Sequence, residues 1–372
     1  MIGGKKRLKF LVEQVEIKKA LQNMNSCISK SNSIVDITLG VLLEVDDAKL
    51  VLQGTNLNTF MQKVIPIVKS QENGKILVKF DLLKGLIDKF PPGIIEFELV
   101  GNEMELRQNK IKYRVPTYSN IDEFPKKPQI IEGPSFEIPQ NLLMEIIKKT
   151  VKGLKRAENT PYLCGMYINI LKNQTVDFVS TDTFRLSLYN YVPEEIFYYR
   201  EKGAIVPYET LDILKSIISN TNEKIIIRFN DSHIKFVLKD ITVISRLLYG
   251  TYPFYWDVIP DEFNGTVDIN AKALQGALNR INTIAKFNGH SIAIMHINDD
   301  DLVVFPQEKN GEEFLKVDSN LENFSISLNI DYLMDFTNTV KSELITAMFI
   351  DSLNPMIWVE GKFIYVLMPT RQ

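Results

Sequence analysis

Cysteine is nearly missing from this sequence: Cys27 and Cys164 are its only two. Two thiols cannot make a disulfide framework, and the expectation is a chain of a reducing cytosol. Histidine is almost as scarce, and His233, His290 and His296 lie scattered, two of them on expected strands. No Cys/His spacing of metal-ligand type and no glycine-rich phosphate loop is present, so neither metal nor cofactor is expected and catalysis is disfavoured. Asp299 to Asp301 reads as a hairpin turn. No apolar run approaches a membrane span, and Met1 to Phe10 is followed by Glu13, Glu16 and Lys18 where a signal peptide needs its apolar centre. Excess positive charge is missing too, with a formal net charge of -3 over 372 residues. A polyanionic partner would have to meet positive charge gathered on one face.

What the sequence does contain is one order of elements, three times over. The unit is plainest from Phe136 to Arg156, a short strand followed by a helix. There Leu143, Ile146, Ile147, Val151 and Leu154 recur at helical spacing, with Lys148, Lys152, Lys155 and Arg156 opposite. Strands at Met166 to Ile170 and Thr175 to Ser180 follow, then a helix over Tyr208 to Ile218 and a meander at 224–229, 233–238 and 241–247. Before it, Lys9 to Met24 gives a strand and a helix with Ile17, Ala20, Leu21 and Met24 inward. Lys79 to Phe90 gives a second helix, and 94–100, 104–108 and 111–115 give the meander. After it, the helix beginning near Val267 carries Leu274, Ala277, Leu278 and Ile281 inward with Lys272, Arg280 and Lys286 elsewhere. Phe324 to Val340 is again strand then helix, and 344–350, 356–359 and 363–368 close the third meander. The expected fold class is α+β, three tandem domains at 1–128, 129–260 and 261–372, joined by Ser119 to Pro128 and Gly250 to Pro260.

Each meander ends in an unpaired edge strand, and tandem copies can satisfy these edges by joining one to the next. The result is a curved sheet with helices on its concave side. A unit of this size is about 35 Å across. Three such units leave a hole of only a few ångströms, whereas six leave one of about 35 Å, enough for a duplex roughly 20 Å wide. Two chains head to tail could therefore encircle DNA, with the lysine faces of the first helices meeting phosphate without regard to sequence.

Three segments carry a resemblance. Ser180 to Tyr191 (STDTFRLSLYNY), Gly250 to Pro260 (GTYPFYWDVIP) and Tyr365 to Gln372 (YVLMPTRQ) resemble, in the right order, segments of the bacterial β sliding clamp family, the processivity subunits of DNA polymerase III. The resemblance implies a homodimeric ring on double-stranded DNA in the bacterial cytoplasm. It also implies a pocket between the second and third domains where short peptide motifs of the replicative polymerase, the clamp loader and repair proteins dock. Carried over by position, that pocket takes Leu163, Thr181, Thr183, Phe184, Arg185, Leu186, Pro253 and Val258 from the middle domain. The last domain adds Phe287, Asn329, Tyr332, Leu353, Pro355, Val366, Leu367, Met368, Pro369, Thr370 and Arg371. The apolar members suit aromatic or aliphatic anchors, with Arg185 and Asn329 fixing a polar group. Thr183-Phe184 replaces the Gly-His of the family segment, Phe254 replaces an Asp, and Trp256-Asp257 stands where basic residues are frequent. The expected rim is thus more apolar and less positive. The DNA face is expected to use Lys30, Lys148, Lys149, Lys152, Lys155, Arg156, Tyr162, Lys272 and Arg280.

Two bland alternatives accompany these readings. Leu186, Val258 and Val366 also fit simple core positions, and Arg185 an ion pair with Asp182. A tandem scaffold that binds proteins and never encloses DNA would show the same three repeats.

Overall fold

The structure is a computed structural model that describes residues 8–30, 35–154, 160–196 and 201–370; Lys155, Arg156 and Arg371 lie outside the described residues. The first repeat runs β1 (Lys9–Glu13), α1 (Gln14–Met24), β2 (Gly40–Asp46), β3 (Lys49–Thr55), β4 (Thr59–Pro66), β5 (Lys69–Glu72), β6 (Gly74–Lys79) and α2 (Phe80–Ile87), then the meander β7 (Ile94–Val100), β8 (Glu103–Gln108) and β9 (Ile111–Tyr118). The second is β10 (Ser135–Pro139), α3 (Gln140–Thr150), β11 (Gly165–Ile170), β12 (Val176–Thr181), β13 (Arg185–Tyr191), β14 (Lys202–Pro207), α4 (Tyr208–Ile217), β15 (Lys224–Phe229), β16 (His233–Val237) and β17 (Ile241–Arg246). The third is β18 (Gly265–Asn270), α5 (Ala271–Phe287), β19 (Ile292–Asn298), β20 (Asp301–Pro306), β21 (Glu313–Lys316), β22 (Asp318–Ser319), β23 (Phe324–Asn329), α6 (Ile330–Thr337), β24 (Leu344–Phe349), β25 (Met356–Glu360) and β26 (Phe363–Leu367).

The chain divides into two compact units, Met1–Asn141 with Asp212–Leu247, and Leu142–Leu211 with Leu248–Gln372. In the first unit thirteen strands hydrogen-bond in one order, β10-β15-β16-β17-β4-β3-β2-β6-β9-β8-β7-β1-β5. The second holds a nine-stranded sheet, β14-β11-β12-β13-β26-β25-β24-β18-β22, and a four-stranded one, β21-β20-β19-β23. In each unit the meander of one repeat is stitched to the hairpin of the repeat before it. β17 pairs with β4, placing Ile244 opposite Phe60, and β26 pairs with β13, placing Val366 opposite Leu186.

Helical spacing explains the cores. Ile17, Ala20, Leu21 and Met24 of α1 are fully buried, as are Leu274, Ala277 and Leu278 of α5, with Ile281 at 2% exposure. The third repeat closes around Phe336, Trp358, Phe363 and Tyr365, whose rings pack within 6.4 Å of one another centroid to centroid along the chain of contacts.

Two expectations need correction. The sequence reading assigns no elements between Ser33 and Lys79, where the structure has the five strands β2 to β6. The helix expected to run to Arg156 ends at Thr150, followed by a single 3-10 turn, Val151–Gly153. The Ser180 hydroxyl donates to the Thr150 carbonyl, an acceptor that the next helical turn would have used, and Leu154 N–H turns to Val151 O instead (3.3 Å). Thr150 Oγ1 bonds back to Ile146 O at 2.8 Å, a bond that loosens a last turn.

On the outer strands of the first repeat, Glu105 receives hydrogen bonds from Arg114 and Arg107 and an ion pair from Lys112 at 3.1 Å. Burial opposes its charge, but these three cations outweigh it and hold the carboxyl at about 2. A folded-state value below the unfolded one, about 4.3, contributes stability that is complete above pH about 4.3 and lost as pH falls toward 2. Denaturant midpoints measured from pH 5 to pH 3 should fall for the wild type and fall less for Glu105→Gln; equal slopes would show that the cluster does not stabilise the fold.

Candidate peptide socket and nucleic-acid interface

The β12–β13 turn builds one wall of a cavity in the second unit. Thr181 Oγ1 donates to Arg185 O (2.7 Å) and accepts from Thr183 N–H (3.1 Å). Asp182 Oδ1 accepts from the N–H groups of Phe184 and Arg185, both at 3.0 Å. Closing the turn puts Thr183 at φ 80, a conformation costing a β-branched residue on the order of 1–3 kcal/mol. Met368 N–H donates to Phe184 O (2.9 Å), so the C-terminal segment continues the β26–β13 pairing past the sheet.

The opposite wall is the segment after Gly250. A side chain at Gly250 would meet Tyr162 Cβ at 3.0 Å, and its φ of 140 is open only to glycine. The chain then drops Tyr252 and Tyr255 into the core, with Tyr252 stacked on Tyr167 at 4.6 Å. Tyr255 O–H donates to Asp177 Oδ2 (2.7 Å) and accepts from Asn169 Nδ2 (3.0 Å), while Asn190 Nδ2 donates to Asp177 Oδ1 (2.7 Å). Burial pushes the Asp177 carboxyl up, and the hydrogen bonds from Asn190 and Tyr255 offset this only in part. This buried network pins the turn that carries Pro253 and Val258.

The resulting cavity, about 220 Å³, is lined by Thr181, Thr183, Arg185, Leu186, Pro253, Phe254, Tyr255, Val258, Val366 and Met368. A larger cleft of about 650 Å³ lies beside it, lined by Ile294, Ser325, Ile326, Ser327, Ser352, Leu353, Met368, Pro369 and Thr370. Met368 belongs to both. Thr370 N–H donates to Ser327 O (2.8 Å), tying the segment after β26 to β23. Arg185 lines the smaller cavity with 9% side-chain exposure, bonded to Asp182 (2.9 Å), Asp335 (2.8 Å) and Lys152 O (2.5 Å), with Tyr332 stacked 4.1 Å from its guanidinium. Burial works against that charge, but the Tyr365 hydroxyl and the two aspartates keep it protonated. An arginine so fully paired is part of the wall and offers little net charge to a ligand.

The structure therefore brings together Thr181, Thr183, Arg185, Leu186, Pro253, Val258, Val366 and Met368 in one cavity, and Leu353, Met368, Pro369 and Thr370 in the other. Leu163 is buried behind the first cavity, and Leu367 points into the third-repeat core. Asn329 caps α6 by accepting from Tyr332 N–H (3.1 Å), and Tyr332 serves as the platform for Arg185. Phe184 and Phe287 are exposed, and Pro355 is half-buried, none lining either cavity. Sequence reasoning placed Phe254 at the rim without counting it as pocket, and it missed Tyr255, Ile294, Ser352 and the strand Ser325 to Ser327. Three β23 residues in succession gave no signal, because facing a cleft is a property of the tertiary pairing.

Of the basic residues expected at DNA, Lys30, Lys148 and Lys272 are exposed, and none has an ion-pair partner among the described residues. Lys152 is exposed and paired with Asp335 at 3.2 Å, and Arg280 is exposed and held by both oxygens of Glu313 at 2.6 and 2.7 Å. Tyr162 is half-buried against the core behind the cavity. Lys149 is a correction: at 4% exposure it is locked between Glu360 and Glu145 (2.9 Å) and cannot reach a phosphate.

Comparison with known proteins decides the family. Profiles of the DNA polymerase III beta subunit match in chain order: the N-terminal domain at residues 8–128, the central domain at 137–254 and the C-terminal domain at 256–371. The chain belongs to the DNA polymerase III beta subunit family. The beta sliding clamp of Rickettsia felis is 26% identical over 383 residues, covering 98% of this chain and all of that one. The solved sliding clamp of Bacillus subtilis superposes with a TM-score of 0.91 at 21% identity, and the Helicobacter pylori beta clamp bound to a DNA ligase peptide with 0.89 at 18%; each covers 98% of this chain and 100% of the other. The clamp is a non-catalytic processivity factor, and the scaffold alternative is not favoured. Among the described residues no helix is long and apolar enough to cross a membrane.

Proposed function

We propose that this clamp works in the bacterial cytoplasm as a head-to-tail homodimer closed around duplex DNA, and that it tethers the replicative polymerase and other partners through the paired cavities of its second unit. One observation carries the closure. The last strand of the second repeat, β17, pairs with β4 of the first, and the last strand of the third, β26, pairs with β13 of the second. By the same rule β9, the last strand of the first repeat, seeks the third-repeat counterpart of β4 and β13, which is β21. Among the described residues, 111–116 of β9 pair with β8 on one side only, and β21 pairs only with β20. A second copy supplies both missing partners, and an exposed aromatic waits on each edge, Tyr113 (51%) and Phe314 (65%).

Within this reading the domains span 1–128, 129–260 and 261–372, divided at the ends of the two linkers. Lys148 and Lys272 supply the unpaired charge for sequence-independent phosphate contacts. The cavities suit a peptide with two apolar anchors, one on each side of Met368, and such a motif is what we expect polymerase, clamp loader and repair partners to present. Sedimentation should give twice the 42.7 kDa chain mass, and the protein should stay on nicked circular DNA and leave once the circle is cut. Phe314→Asp should weaken dimerisation by about thirtyfold or more and abolish retention together with it. A wild-type monomer, or equal retention on circular and linear DNA, would sink the proposal.

A further inference from the structure

The socket has a copy of itself in the first unit. Around the β3–β4 turn, Thr55 Oγ1 donates to Thr59 O (2.8 Å) and accepts from Leu57 N–H (3.0 Å), as Thr181 does with Arg185 and Thr183. Asn56 Oδ1 accepts from the N–H groups of Asn58 and Thr59 (3.1 and 2.7 Å), as Asp182 does from Phe184 and Arg185. Leu57 takes φ 74 where Thr183 takes φ 80. Arg246 N–H donates to Asn58 O at 2.9 Å, the bond and the distance that join Met368 to Phe184. Phe60 lies opposite Ile244 as Leu186 lies opposite Val366, and the Phe124-Pro125 linker passes where Tyr252-Pro253 passes in the other copy.

The same backbone encloses the same kind of hollow. A cavity of about 130 Å³ is lined by Leu57, Phe60, Pro125, Pro128 and Ile244 as its apolar part and by Thr55, Asn58, Lys126, His233 and Arg246 as its polar part. The difference lies in charge. The second-unit socket has its one cation neutralised by two aspartates and its rim made of Phe254, Val258 and Met368. In the first-unit copy the residue at the place of Phe254 is Lys126 and the residue at the place of Met368 is Arg246, both exposed and neither within ion-pair distance of a carboxylate among the described residues. Burial first, and the charge of Lys235 second, push the neighbouring Lys127 ammonium down.

We infer that this first-unit cavity is a second peptide socket, taking a short acidic segment whose one aliphatic side chain rests on the floor formed by Phe60 and Ile244 while its carboxylates meet Lys126 and Arg246. A bare phosphate backbone would satisfy the two cations and leave the apolar floor empty, so the cavity favours a peptide over DNA. The inference rests on reading the second-unit cavity as a peptide socket, and its test keeps the two apart.

Two fluorescent peptides are titrated against the full chain, one rich in Asp and Glu with a single leucine, one neutral and rich in Gln and Leu. The acidic peptide should bind with an affinity that falls with added salt, and Lys126→Glu with Arg246→Glu should weaken it by about tenfold or more while leaving the neutral peptide unchanged. Phe254→Ala should do the reverse. All three positions are exposed, and circular dichroism confirms that the variants fold. The inference is overturned if the acidic peptide does not bind, if the charge reversals leave it unmoved, if Phe254→Ala weakens it equally, or if a duplex oligonucleotide displaces it. Failure of the neutral peptide alone would instead count against the second-unit reading.

Discussion

Glu360→Gln is expected to destabilise the second unit by about 3–5 kcal/mol, read as a lowered denaturant midpoint, although the substitution changes neither size nor shape. Its partner explains the size of the effect. The Lys149 ammonium is buried, 5.1 Å from the centre of the Phe363 ring, and Glu360 and Glu145 are the two carboxylates that balance it. Glu145 is also committed to Lys341, so it cannot replace what Glu360 supplies. Glu360 in turn accepts the N–H groups of Lys341 (2.7 Å) and Ser342 (2.9 Å), which fastens the α6–β24 loop to the pair. Lys149→Met should cost less, because the Glu360 carboxylate keeps those two donors and Met fills the space. Combining the two changes should recover part of the single losses, since no buried charge is then left alone. Strictly additive losses would show that the two groups do not act as a pair. The sign with pH follows from the same groups: burial opposes the charges of Glu360 and Glu145, but their lysine partners hold both carboxyls below the ordinary value. Their stabilisation is full above the unfolded value, about 4.3, and is lost as pH falls through the lower folded values, a loss that Glu360→Gln should blunt.

Lys149 also shows where sequence reading succeeds and where it stops. The repeats were legible because each helix buries a periodic stripe, and Leu211, Leu214, Ile217 and Ile218 or Leu274, Ala277, Leu278 and Ile281 mark their faces without help from the rest of the chain. The same periodicity held a warning for Lys149, which follows the buried Ile146 by three residues and so shares its face, whereas Lys148 does not. What spacing could not show was a carboxylate 211 positions away to receive it. The cavity walls divide in the same manner. The socket segments could be matched as segments, but the Asn169–Tyr255–Asp177 network exists only after β11, β12 and the linker have come together. The five strands β2 to β6 escaped because their polar residues are interleaved by tertiary pairing and no helix interrupts them to mark a boundary. The duplicate socket escaped for a different reason: Thr-Asn-Leu-Asn-Thr and Thr-Asp-Thr-Phe-Arg share little besides the Thr and Asx that hold the turn.

Met368→Ala is expected to weaken a Gln- and Leu-rich polymerase-type peptide by about thirtyfold or more, without loss of fold. Met368 is 38% exposed just beyond β26, so truncating its side chain opens no closed cavity in the core. It is, however, the one residue among those described that lines both the 220 Å³ socket and the 650 Å³ cleft. Truncating it lowers the partition against which a two-anchor peptide bends, and each anchor loses a contact. Phe254→Ala removes rim surface from the first cavity alone and should cost less, and Leu353→Ala, on the far lip of the second, should weaken only peptides long enough to fill both. The order Met368, then Phe254 and Leu353, is thus the signature of a ligand that straddles the C-terminal segment. Equal losses at all three positions would point to a peptide lying across the surface, and unchanged affinity on Met368→Ala would remove these cavities from consideration as the docking site.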